Sequence, residues 1–159
     1  MRTVALQTQE QLEYRIASTV TAAQESVFDD PYGLAVKFEQ RRGKTECDLL
    51  FERDKQTMDP LASSGYGAVD IAAFALRVAA WSMSRRTRPV LILDEPFRHL
   101  KGSETNRRAI EMTKEISHEL GLQIIMISDE RAPREDIIEG ADKVFEVSIK
   151  KGASQVKAL

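Results

Sequence analysis

Cysteine occurs once in these 159 residues, at Cys47, and histidine twice, at His99 and His118. An internal disulfide is therefore excluded, and no zinc is expected, since two isolated histidines and one thiol lack the spacing of a metal site. The apolar alternation around Cys47 (Leu49, Leu50, Phe51) predicts a packed thiol in a reducing compartment rather than a nucleophile. No apolar run approaches the ~18 residues of a membrane helix, and the amino terminus lacks the apolar region of a signal peptide, so the expected compartment is the cytoplasm, with no membrane partner. A net charge of −2 with 30% charged residues supplies no global basic field, so contact with nucleic acid would be local or come through a partner. Aromatics make up 6% of the chain, and none interleaves with Arg85, Arg86 and Arg88 or with Arg41, Arg42 and Lys44. Those basic clusters read as solvated rather than as base-stacking surfaces.

What remains is one soluble domain able to bury a sizeable core. Residues 1–28 carry Leu12, Ile16 and Val20 at helical spacing, an amphipathic helix. Breakers at Asp29 to Gly33 precede a strand through Leu34, Val36 and Phe38, a hairpin turn at Arg41 to Lys44 and a return strand over about 46–52. A polar loop, 53–60, leads to Ser63-Ser64-Gly65-Tyr66-Gly67. Residues 68–83 are apolar around nearly the whole circumference, interrupted mainly by Asp70, Arg77 and Ser82, which predicts a helix buried on most sides. An apolar strand at 90–93, a polar-faced helix over 103–120 capped by Gly121, and a second apolar strand at 122–127 predict a parallel strand-helix-strand crossover. A last strand spans 141–149, and residues 151–159 are expected to be a flexible tail.

The strand Val90-Leu91-Ile92-Leu93 ends in Asp94-Glu95-Pro96. A strand buried on both faces has no polar positions to spare, so two adjacent carboxylates at its carboxyl end mark the edge where open α/β sheets bind ligands. This is a Walker B pattern: Asp94 would help hold Mg²⁺, and Glu95 would orient or deprotonate an attacking water. About 27 residues earlier, Gly65-Tyr66-Gly67 opens the buried helix and presents free N–H groups with a positive dipole end, an anion-binding arrangement.

With Ala75-Leu76-Arg77 on that helix, the chain resembles the carboxyl-terminal half of an ABC-class ATPase head, of the SMC-like, SbcC-type ATPases of double-strand-break repair. The resemblance covers roughly residues 60–147. It implies an α/β fold, the carboxyl-terminal lobe of a P-loop-type head occupying 29–150, with a parallel sheet flanked by helices and with residues 1–28 as a possible coiled-coil root. It also implies a signature loop at Ser63, Ser64, Gly65, Tyr66 and Gly67, which would touch nucleotide in trans. A D-loop over 97–101 would include His99, Leu100 and Lys101, and Asp129 falls at the switch position. The implied ligands are ATP and Mg²⁺. The implied partners are a Walker A lobe, a second head, a nuclease subunit and, through the assembled complex, DNA.

The pattern departs from that family in three places. A gapless alignment on Leu76-Arg77 puts Gly65 where the signature serine belongs, whereas choosing Ser64 demands a one-residue insertion. Asp129 stands where a histidine is usual and would repel phosphate unless a cation intervened, and Lys101 replaces the usual D-loop aspartate. The P-loop itself is missing: Gly43-Lys44-Thr45 would need glycine at position 38, which is Phe38, so those residues read as a hairpin turn. Without a phosphate cradle the chain alone is expected to bind ATP weakly and to be a poor ATPase. The same residues also fit a non-catalytic regulatory or assembly subunit that uses the signature face. A transporter nucleotide-binding domain fits less well, because Ala68, Asp129 and the amino-terminal helix depart from its usual pattern.

Overall fold

The computed structural model describes residues 2–84, 88–128 and 133–159. Helix α1 (Arg2–Val27) leads into strands β1 (Gly33–Arg41), β2 (Lys44–Arg53) and β3 (Gln56–Met58), which form an antiparallel sheet in that order. Next come α2 (Pro60–Ser63), α3 (Tyr66–Ser84), β4 (Val90–Asp94), α4 (Ser103–Leu120) and β5 (Gln123–Ile127). Strands β4 and β5 pair in parallel, with Val90 opposite Gln123 and Asp94 opposite Ile127, as the crossover pattern predicts. Helix α5 (Arg134–Gly140) and an antiparallel pair, β6 (Phe145–Lys150) with β7 (Ala153–Ala158), complete the chain.

Among the described residues, three β-hairpins turn through two residues of positive φ: Arg42 (50°) and Gly43 (76°), Asp54 (52°) and Lys55 (63°), Lys151 (52°) and Gly152 (77°). Paired left-handed residues give the twist of a primed turn, which matches that of the strands it joins. Gly43-Lys44-Thr45 is accordingly turn and strand, with Arg41 opposite Lys44.

One core joins α1, the β1–β3 sheet, α3, β4, α4 and β5. Helix α1 buries Val20, Ala23 and Val27 against Leu34 and Val36 of β1 and against α3, whose buried face carries Ile71, Phe74, Ala75 and Val78. The β4 side adds Leu93, and α4 adds Ala109 and Met112. Gln24, fully buried on α1, donates its Nε2–H to the Ala68 carbonyl at 2.6 Å and ties α1 to the first turn of α3.

Several local expectations are corrected. Residues 151–159 are not a tail: β7 pairs with β6 from Phe145–Ala158 to Lys150–Ala153. The strand expected over 141–149 is β6, whereas β7 was missed; both strands are exposed on both faces, so β7 had no burial pattern to show. The polar 53–60 loop contains β3 and runs directly into α2, which is begun by Pro60 behind an Asp59 cap that accepts from the Leu61 and Ala62 amides. Helix α5 was not anticipated. Cys47 is exposed rather than packed, and Arg77 is exposed although the helix around it is apolar. Among the described residues, no helix is long and apolar enough to cross a membrane.

Candidate functional site

Strand β4 delivers Asp94 exposed at its carboxyl end, with Glu95 half-buried beside it. Glu95 has φ of 41°, a conformation that costs a non-glycine residue about 1–3 kcal/mol and is concentrated at functional positions. Its N–H donates to the Ile127 carbonyl at 3.0 Å, carrying the β4–β5 ladder one residue past Asp94. A cavity of about 20 Å³, enough for one water, lies against Glu95, Asn106 and Ser128 with an apolar floor of Phe97, Ile110 and Met126.

The segment after Pro96 is a folded turn: the Arg98 amide donates to Glu95 O at 3.2 Å and the Leu100 amide to Phe97 O at 3.0 Å. Phe97 and Leu100 are buried and anchor it; Phe97 meets Phe74 edge-on, with ring centroids 5.5 Å apart. Leu100 is therefore an anchor, whereas His99 and Lys101 are exposed. Lys101 lines an open hollow of about 300 Å³ with Gly102, Ser103, Asn106 and Pro133.

The loop at 63–67 lies directly beside this turn. Ser63 is the last residue of α2, and Ser64 turns its hydroxyl back to donate to the Pro60 carbonyl. Gly65 precedes α3, its carbonyl accepting from the Ala68 amide at 3.0 Å and from that of Val69 at 3.5 Å. The opening amides of α3, at Tyr66 and Gly67, have no intrahelical acceptor and are available to an anion. Gly67 has a steric role: a Cβ there would stand 3.1 Å from Leu100 Cδ2 and 3.2 Å from His99 O. The glycine lets the two loops touch.

Asp70, one turn further along α3, is the residue that sequence reasoning missed. Its Oδ2 accepts the His99 main-chain N–H at 2.8 Å, and His99 Nδ1 lies 3.2 Å from both carboxylate oxygens. The Tyr66 and His99 rings lie 5.4 Å apart, tilted by 39°. A lone carboxylate in an apolar helix, three residues after a glycine turn, was the available signal.

The structure thus brings Ser63 to Gly67, Asp94, Glu95 and 97–101 to one end of the fold. Asp129 lies outside the described residues, as do Arg85 and Arg86. Cys47 takes no part; partial desolvation of its sulfur by neighbouring side chains, then the nearby charges of Asp48 and Glu13, push its thiol above the ordinary range, away from the nucleophilic form. Among the described residues no group of three or more acidic, histidine or cysteine side chains could hold a metal by itself. Mg²⁺ is commonly held by one or two carboxylates completed by waters and substrate phosphates, and the exposed Asp94 carboxylate at the end of β4 suits that requirement.

One face of the β4–β5 pair is uncovered. Leu91 and Leu93 point into the core, while Ile92, Ile125 and Ile127 on the other face are 76%, 48% and 57% exposed. Parallel strands are normally covered on both faces.

This arrangement is the fold of an ABC-type ATPase head in part: a two-stranded parallel sheet packed against helices on one face, with two carboxylates at its carboxyl end. Among solved structures the likeness is to heads of SMC ATPases. One, from work on ATP-driven dimerization and DNA-stimulated activation of SMC ATPases, superposes with a TM-score of 0.71 at 22% identity, covering 100% of this chain and 89% of that one. A second, an Smc head bound to the C-terminal winged-helix domain of ScpA, gives 0.73 at 22% identity over 99% of this chain and 45% of that one. The Smc head with a coiled coil and joint from Pyrococcus yayanosii gives 0.71 at 22% identity, over 99% and 28%. The chain thus spans less than half the length of the latter two. No protein-family model matches the sequence, and no curated protein matches it.

Proposed function

We propose that the chain is the lobe of an ATP-hydrolysing head that carries the signature loop, Walker B and D-loop, and that it works when a Walker A lobe closes over β4 and β5. The observation that carries this reading is the open isoleucine face beside Asp94 and Glu95. Ile92, Ile125 and Ile127 together expose a little under two isoleucines' worth of surface, whose burial is worth roughly 3–5 kcal/mol. A covering lobe would bring a phosphate cradle to the same strand ends.

In the assembled head Asp94 would hold Mg²⁺ through water, and Glu95 would orient the attacking water, the small cavity beside it giving room for one. Mg²⁺ bound with ATP supplies charge neutralisation at the phosphate oxygens. The Tyr66 and Gly67 amides would donate to a phosphate held by a second head. The buried Gln24–Ala68 bond gives α1, the possible coiled-coil root, a direct connection to that loop. A nuclease partner, action on DNA in repair or recombination and a cytoplasmic location belong to this proposal through the sequence resemblance. A second reading, a regulatory subunit without hydrolysis, is favoured by one observation: the Ser64 hydroxyl proton is already donated to the Pro60 carbonyl.

Calorimetric titration of the chain with the Walker A lobe of an SMC-type head tests the proposal. Ile92→Lys should leave the stability of the isolated chain unchanged within about 0.5 kcal/mol, since the side chain is exposed. It should weaken lobe binding at least about tenfold. Equal binding by both proteins would refute the docking face.

A further inference from the structure

We propose that Asp70 is a positioning residue that latches the D-loop to the opening turn of α3, so that the two loops facing a partner head move as one block. The functional meaning of the latch rests on the reading of 63–67 as a signature loop and 97–101 as a D-loop; the latch itself rests on geometry.

Asp70 makes a two-point hold on a residue 29 positions away, through the His99 backbone amide at 2.8 Å and the imidazole at 3.2 Å. Its side chain is 17% exposed, against 45% for His99, so the carboxylate lies inside the contact and the imidazole at its rim. Exposed ion pairs contribute little, but this carboxylate also satisfies a main-chain donor of the loop, which fixes backbone as well as side chain. Two neighbours close the contact from either side: the Tyr66 ring lies against the imidazole, and Gly67 is in near-contact with Leu100 and the His99 carbonyl. Tyr66 and Asp70 are four residues apart on α3 and share a face, so one helix turn holds the ring and the backbone of the D-loop together.

The hold has a chemical consequence. A carboxylate facing Nδ1 makes that nitrogen the donor, so neutral His99 is set in its Nδ1–H tautomer and Nε2 becomes an acceptor. Among the described residues none is bonded to Nε2. Asp70 therefore decides both where the D-loop sits and which face of its imidazole a partner meets.

The test uses the full chain labelled with ¹⁵N and carrying His118→Gln, which leaves His99 as the single imidazole. Long-range ¹H–¹⁵N spectra above the imidazole titration should show Nδ1 protonated, and Asp70→Ala should move the proton to Nε2. Amide hydrogen exchange should accelerate about tenfold in Asp70→Ala at the bonded amides of 98–100 and of 68–69 together. Asp70→Asn, which keeps an acceptor oxygen for the His99 amide, should restore most of that protection. An Nε2–H tautomer in the unmodified chain, or acceleration confined to 98–100, would overturn the latch. With a Walker A lobe present, Asp70→Ala should lower kcat about tenfold while KM stays within twofold, the signature of lost positioning. Unchanged turnover would overturn the coupling. No turnover by the parent complex, with the tautomer and exchange results as expected, would defeat the ATPase reading alone and leave the latch established.

Discussion

Gly67→Ala sets two effects of similar size against each other at the contact between the signature loop and the D-loop. Alanine in a helix is favoured over glycine by about 0.5–1 kcal/mol, and by less this close to the first turn. Against that, the new methyl would stand 3.1 Å from Leu100 Cδ2, 3.2 Å from the His99 carbonyl oxygen and 3.5 Å from Leu100 Cα. Leu100 is 8% exposed and has little room to swing, while the His99 backbone is held by Asp70. Overpacking of this kind costs typically about 1–3 kcal/mol, so the loss should win by roughly 0.5–2 kcal/mol. Gly65→Ala is the control two residues away, where an added Cβ meets nothing within 4 Å. There the entropy removed from the unfolded chain is offset by the poorer helix cap, for a net change within about 0.5 kcal/mol. Urea unfolding of the two variants beside the parent measures both. If Gly67→Ala were as stable as the parent, the two loops would not be in contact and the account of the site would be wrong.

Other expectations follow from burial and charge. Phe74→Ala, which empties a fully buried position that also supports Phe97, should cost about 3–5 kcal/mol in urea unfolding; a loss below 1 kcal/mol would mean that α3 is not the centre of the core. Hydrogen bonds from Arg107 and then Arg108 hold the Glu104 carboxyl below its ordinary range. Its lowered folded-state pKa means that this share of stability is present above the ordinary glutamate range and is lost as pH falls through the lowered value. Glu104→Gln should therefore make the acid limb of a stability–pH profile shallower, modestly because the group is exposed, and an unchanged limb would dismiss the pairing.

The parts of the fold that were legible in the sequence are those where burial imposes a period. The apolar runs at 90–93 and 122–127 are the parallel pair, and the all-round apolar stretch at 68–83 is α3, extended at each end by Tyr66, Gly67 and Ser84. The hairpin was readable from Arg42-Gly43 because turn chemistry is local. Strands β6 and β7 carry no burial pattern because both their faces are open, and helix α5 buries no residue, so neither β7 nor α5 had a period to show. Among the candidate site residues, Asp94 and Glu95 stood out in the sequence because carboxylates rarely follow four apolar strand residues. Asp70 was visible only as an interruption. Its meaning depends on His99, 29 residues away, which no local pattern connects to it.

The central claim is that Asp94 and Glu95 form a competent half of an ATP site whose phosphate cradle comes from another lobe. ATP turnover by the chain mixed with a Walker A lobe, with and without Glu95→Gln, tests it most directly. The account predicts Mg²⁺-dependent turnover by the mixture, none by either part alone, and a loss of at least about 100-fold in the variant, as removal of a water-orienting group should produce. Turnover that survives Glu95→Gln unchanged would contradict it.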